Sequence, residues 1–67
     1  MIIVNGEPSD AVPPGATITE LLSSLDVDGE RGVAVAVDAE VIPRGEWATF
    51  AVADGARVEV LIAVQGG

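Results

Sequence analysis

Side chains that commonly act as acids, bases or nucleophiles are almost missing from this sequence. It has no histidine, cysteine, lysine or tyrosine, so imidazole, thiolate, amine and phenol are all absent. The carboxylates that remain are scattered, with no evident apolar pocket to raise a pKa. A self-sufficient enzyme is therefore not expected. The usual nitrogen and sulfur metal ligands are missing as well. Asp26-Val27-Asp28-Gly29-Glu30 has the acidity of a calcium loop but lacks the EF-hand spacing and second helix, and reads as solvated loop. Gly29-Glu30-Arg31-Gly32 is not followed by a phosphate-cradle pattern.

The remaining candidate is the backbone at the end of the sequence, Val64-Gln65-Gly66-Gly67. At a glycine usage of roughly 7%, a closing glycine pair arises by chance about once in 200 chains. Without Cβ atoms, Gly66 and Gly67 can approach another surface closely. Three residues beyond Val64 reach roughly 10 Å when extended. Such an arm, with a carboxylate at its tip, could thread a channel too narrow for branched side chains. An inert, frayed end is the competing reading. The expected division is a folded domain over residues 1–64 and a flexible tail over 65–67.

A length of 67 residues supports one small domain, which buries only about 60% of its unfolded surface. With no disulfide available, stability must come from an apolar core, and 49% apolar residues can supply one. Three arginines stand against eleven acidic residues, for a net charge of −8. No basic patch can form, which excludes nucleic acid and anionic membranes as partners. The acidity suits docking on a basic protein face, and solubility explains it equally well. No apolar run approaches the ~20 residues of a membrane span. The start Met1–Asn5 lacks the basic region of a signal peptide. A cytoplasmic protein, monomeric when free, is expected.

These features need a scaffold, and the sequence predicts one. Met1–Val4 reads as a strand that turns at Asn5-Gly6, a strong hairpin signal. A second strand over Glu7–Val12 carries Pro8 and so suits an edge. Thr17 and Glu20 have capping-box spacing, and Ile18, Leu21, Leu22 and Leu25 form one apolar stripe, predicting a helix over Ile18–Leu25. Val33–Val37 reads as a strand buried on both sides, or one facing the helix with its alanines outward, and Asp38-Ala39-Glu40 as a turn. Val41-Ile42 is a short strand ended by Pro43, and Arg44–Ala56 reads as irregular, with Trp47 and Phe50 as core plugs. Arg57–Val64 is the last strand: Val58, Val60, Ile62 and Val64 face the core, and Leu61 and Ala63 the opposite side. The fold class is α+β, a mixed sheet of four or five strands on one helix.

Ile2-Ile3-Val4-Asn5-Gly6, Thr17–Leu22, Val33–Val37, Val41-Ile42-Pro43-Arg44, Asp54–Val60 and the closing Gly66-Gly67 occur in an order that resembles the ThiS family. These are sulfur carriers of thiamine biosynthesis with a ubiquitin-like β-grasp fold, and the resemblance runs along essentially the whole chain. Ala56 departs from it, standing where the family often has an acidic residue. The family also often carries Asn where Asp38 or Ala39 falls.

The resemblance implies that Gly67 is the reactive residue, Gly66 a slender spacer and Gln65 a hydrogen-bonding anchor. An adenylyltransferase of the ubiquitin-activating type (ThiF), using ATP and Mg²⁺, would convert the Gly67 carboxylate to an acyl-adenylate. Sulfur from a cysteine desulfurase or equivalent donor would displace AMP, and thiazole synthase (ThiG) would consume the thiocarboxylate. The chain itself would bind no cofactor or metal. Leu61 and Ala63 are the expected docking residues. Three alternatives stay open: a carrier like the small subunit of molybdopterin synthase, a ubiquitin-like modifier, and a β-grasp interaction module whose glycine end is incidental.

Overall fold

The computed structural model describes residues 1–27 and 32–62. Its elements are β1 (Ile2–Val4), β2 (Glu7–Ser9), α1 (Ile18–Ser24), β3 (Val33–Val37), β4 (Glu40–Val41), a 3₁₀ turn (Arg44–Glu46) and β5 (Arg57–Ile62). The strands form a five-stranded sheet in the order β2-β1-β5-β3-β4. β5 lies between β1, which it pairs in parallel, and β3, which it pairs antiparallel.

Asn5 and Gly6 have φ of +50° and +83°, and Val4 pairs with Glu7, so the β1–β2 hairpin closes through a two-residue loop. Pro8 does lie on an edge strand. β2 stops at Ser9 rather than Val12, because Ser9 faces Ile2, where β1 begins. The β3–β4 turn is also two residues long. Asp38 and Ala39 take φ of +50° and +70°, and Glu40 pairs with Val37. β4 is therefore Glu40–Val41, one residue earlier than Val41-Ile42. Ile42 turns into the core, its N–H donating to the Val35 carbonyl at 2.9 Å.

The capping box at α1 is complete, with Thr17 and Glu20 bonding reciprocally. Ile18, Leu21 and Leu22 are buried and Leu25 is half-buried, as the stripe requires. The helix ends at Ser24 in a left-handed cap at Asp26 (φ +60°). Val27 N–H donates to Leu22 and Asp26 N–H to Ser23, the paired bonds of a Schellman motif. At the other end, Ile18 and Thr19 donate backbone N–H groups to the Phe50 and Trp47 carbonyls. The stretch read as irregular thus holds a 3₁₀ turn and serves as the floor of the helix N-terminus.

α1 covers one sheet face. Ile2, Ile18, Leu21, Val35, Val52 and Val58 are fully enclosed between them, and no polar side chain is buried among the described residues. β3 resolves its two readings in favour of the second: Val33, Val35 and Val37 are buried, while Ala34 is exposed and Ala36 half-buried. Trp47 is buried and Phe50 packs at the core's margin.

One expectation for β5 is corrected. Val58 and Val60 are buried as expected, but Ile62 is 55% exposed. A seven-residue helix is about 10 Å long, and six strand residues span about 20 Å. The helix cannot cover the far end of β5. Ala63 and Val64, the other residues placed in this strand, lie outside the described residues, as do Asp28, Gly29, Glu30 and Arg31 of the loop.

Candidate functional site

Gln65, Gly66 and Gly67, the residues expected to carry the chemistry, lie outside the described residues, as does Ala63. What the structure defines is the root of that arm. β5 is a central strand, so the segment leading to Gly67 continues from an element held on both sides. The two sides differ. β3 pairs with β5 over five residues, as far as Val33–Ile62. β1 pairs with it only at Ile3–Arg57 and Val4–Val58.

Two turn residues extend this grip with their side chains. Asp38 donates its backbone N–H to the Arg57 carbonyl at 2.8 Å and accepts the Arg57 N–H on Oδ1 at 3.0 Å. Asn5 accepts the Val60 N–H on Oδ1 at 2.8 Å, and its Nδ2 donates to the Val60 carbonyl at 3.4 Å. Sequence reading gave both residues turn roles and missed these bonds. A short polar side chain at a two-residue turn was the available signal, because turn chemistry alone leaves such a group without a task.

Leu61 points to the sheet face opposite α1 and is 63% exposed, as expected. Opposed residues in a register share a face, so Ala34 lies beside Leu61. Ala36 and Val41, another opposed pair, continue the apolar surface toward β4, and Val41 is 71% exposed. Glu59 and Arg57 share this face of β5 with Leu61 and bound the surface with charge. On the helix side, Val4, Leu25, Val27, Val60 and Ile62 line an open groove of about 350 Å³.

Among the described residues, no group of three or more acidic side chains is placed to hold a metal ion. Among the described residues, the two carboxyls held below their ordinary values are exposed and belong to structural contacts. Glu20 is lowered by the Thr17 backbone N–H and then its hydroxyl, and Asp54 by the hydrogen bond and charge of the Met1 ammonium. Ala56, at the departure noted in the sequence, is buried; its carbonyl accepts the Ile3 N–H at 2.9 Å. No described helix is long and apolar enough to cross a membrane.

A mixed five-stranded sheet around one helix, with the terminal segment continuing from the central strand, defines a ubiquitin-like β-grasp domain. The sequence profile of the ThiS family matches residues 2–67, a span that includes both closing glycines. The chain belongs to the ThiS family of sulfur carrier proteins. It is 36% identical over 53 residues to the sulfur carrier protein ThiS of Escherichia coli, covering 79% of each chain. It is 35% identical over 66 residues to a thiazole synthase of Paramagnetospirillum magneticum, covering 98% of this chain and 20% of that one. The crystal structure of the thiamine biosynthesis protein ThiS from Geobacter metallireducens superimposes with a TM-score of 0.75 at 39% identity, covering 98% of this chain and 97% of that one. The solution structure of a thiamine biosynthesis protein from the same organism gives the same TM-score and identity and covers 86% of that chain.

Proposed function

We propose that this chain carries sulfur as a thiocarboxylate on Gly67 and delivers it to the building of the thiamine thiazole. The supporting observation is the family match, which runs through Gly66 and Gly67 on a domain without thiol, imidazole or amine side chains. A carrier with no cysteine cannot hold sulfur as its own persulfide. The terminal carboxylate is the group left to bear it.

A carboxylate is a poor electrophile, since its charge repels nucleophiles and its oxygen leaves badly. An adenylyltransferase of the ThiF type, with ATP and Mg²⁺ as its own reactants, forms the mixed anhydride of Gly67 with AMP and releases pyrophosphate. A persulfide sulfur from a desulfurase route attacks the acyl carbon and AMP departs. Reductive cleavage of the resulting acyl disulfide by a thiol leaves the thiocarboxylate. A thiazole synthase then takes the sulfur; the thiazole synthase relative that contains a segment like this chain supports that partner. The carrier supplies no acid or base. Its part is presentation: five residues beyond Ile62 span at most about 17 Å, and Gly66 admits a narrow channel. Gln65 anchors the arm by hydrogen bonding, and Leu61 and Ala63 dock on the adenylating partner.

The test is intact mass after incubation with ATP, the adenylating partner and a sulfur source. Replacement of one oxygen by one sulfur, confined to Gly67, supports the proposal. Its absence under conditions that load a ThiS protein overturns it. Deletion of Gly67 is expected to abolish the exchange and leave the melting temperature unchanged. Supplying the loaded protein to thiazole synthase and to molybdopterin synthase assigns the pathway.

A further inference from the structure

The unequal grip on β5 points to a second requirement of the carrier. β1 offers no strand partner to β5 beyond Val58, because the chain turns away at Asn5-Gly6. The ladder nevertheless continues. The Asn5 backbone N–H donates to the Val58 carbonyl at 2.8 Å, and its carboxamide then takes both the N–H and the C=O of Val60. A carboxamide offers an acceptor and a donor side by side, as a peptide on a neighbouring strand would. The side chain stands in for the residue that β1 lacks.

The turn does not ask for this. Asn5 sits at φ +50°, a conformation that glycine adopts freely. Glycine would satisfy the hairpin and leave Val60 without its partner on that side. The carboxamide therefore has a role separable from turn formation, and it acts two residues before the last described residue of the strand that leads to Gly67.

We infer that Asn5 is a positioning residue for the adenylation of Gly67. By holding the Val60 peptide it fixes the line along which β5 directs the terminal arm into the partner's active site. The inference rests on the carrier reading above. An arm that enters a narrow channel is sensitive to the direction of its root, and a displacement of about 1 Å at a reacting group can cost roughly 100-fold in rate. The Leu61 side-chain face is distinct from the main-chain edge that Asn5 holds. Docking and delivery are thus separable in KM and kcat.

Asn5→Gly and Asn5→Asp test this beside the wild-type chain, with ATP–pyrophosphate exchange by the adenylating partner as the assay. Thermal unfolding and amide exchange at Val60 are measured on the same samples. Asn5→Gly keeps the positive-φ turn and removes the carboxamide. Asn5→Asp keeps an acceptor for the shorter bond, from the Val60 N–H. Asn5→Gly is expected to lose protection at the Val60 amide and to lower kcat about tenfold, with KM for the carrier changed less than about twofold. Asn5→Asp is expected to recover most of kcat. A purely structural role would lower the melting temperature and leave kcat of the folded protein unchanged; that result, or an effect confined to KM, overturns the inference. A wild-type chain that accepts no AMP overturns the carrier reading, and the positioning role falls with it.

Discussion

Trp47 donates its indole Nε1–H to the carbonyl oxygen of Ile42 at 2.9 Å, and both residues are buried. The bond lets a large ring fill the core beneath the helix N-terminus with its one polar atom satisfied. Outside it, the Arg44 guanidinium lies over the ring, 5.4 Å from its centroid. Trp47→Phe removes the donor and some volume while keeping an aromatic body. The expected loss is about 2 kcal/mol, and about 4–8 °C of melting temperature per kcal/mol in a domain this size. Calorimetry of the two proteins checks it. A change of less than a few degrees would mean that the Ile42 carbonyl finds another partner.

Leu61 is the clearest candidate for docking, since it is a large apolar side chain left exposed beside Ala34 on the sheet face opposite α1. Leu61→Asp adds a charge at a position that makes no core contact, so stability should change little. At the center of an apolar interface the same change should raise KM for the carrier about tenfold or more. Unchanged adenylation kinetics would remove this face from the docking surface.

Much of the scaffold was legible because local chemistry and burial agree. Asn5-Gly6 forms its hairpin, Thr17 and Glu20 cap their helix, and the alternation through Val58 and Val60 places both in the core. The misreadings share a cause: they depend on where a neighboring element ends. Ile62 continues the alternation, yet α1 is too short to cover it, and no property of Ile62 itself records the helix length. β2 stops where β1 begins, and β4 starts one residue early because of a two-residue turn. Gly66 and Gly67 were singled out by composition and position, and they lie outside the described residues. Asn5 and Asp38 were seen only as turn formers, because a side chain's long-range partner is fixed by sheet order rather than by adjacent sequence.

The capping box gives the domain an acid-sensitive contact. Glu20 Oε1 accepts the Thr17 N–H at 2.8 Å, and Thr17 Oγ1 accepts the Glu20 N–H at 3.2 Å. The Thr17 backbone N–H, followed by its hydroxyl, holds the Glu20 carboxyl below its ordinary value. A folded-state pKa below the unfolded one adds stability that is fully present above the unfolded value and is lost as pH falls through the folded value. Glu20→Gln keeps an acceptor that does not titrate in this range. Its melting temperature should therefore fall less steeply with acid than that of the wild type, with the two close together at neutral pH. Curves that stay parallel through the acid range would show that the Glu20 charge contributes nothing to the cap.

Ala39 offers a gain in stability remote from the terminal arm. It sits at φ +70° in the two-residue turn between β3 and β4, where an L side chain crowds its own backbone. The left-handed region costs a residue with a Cβ about 1–2 kcal/mol. Glycine escapes that cost but gives back roughly 0.5–1 kcal/mol through the greater freedom of the unfolded chain. Ala39→Gly should therefore stabilize the domain by about 0.5–1 kcal/mol, or several degrees of melting temperature. Ala39 is exposed, so no core packing is lost in the exchange. Adenylation kinetics should not change, because β5 keeps its bonds to Asp38 and Asn5. A lower melting temperature for Ala39→Gly would show that the turn does not hold residue 39 at positive φ in solution.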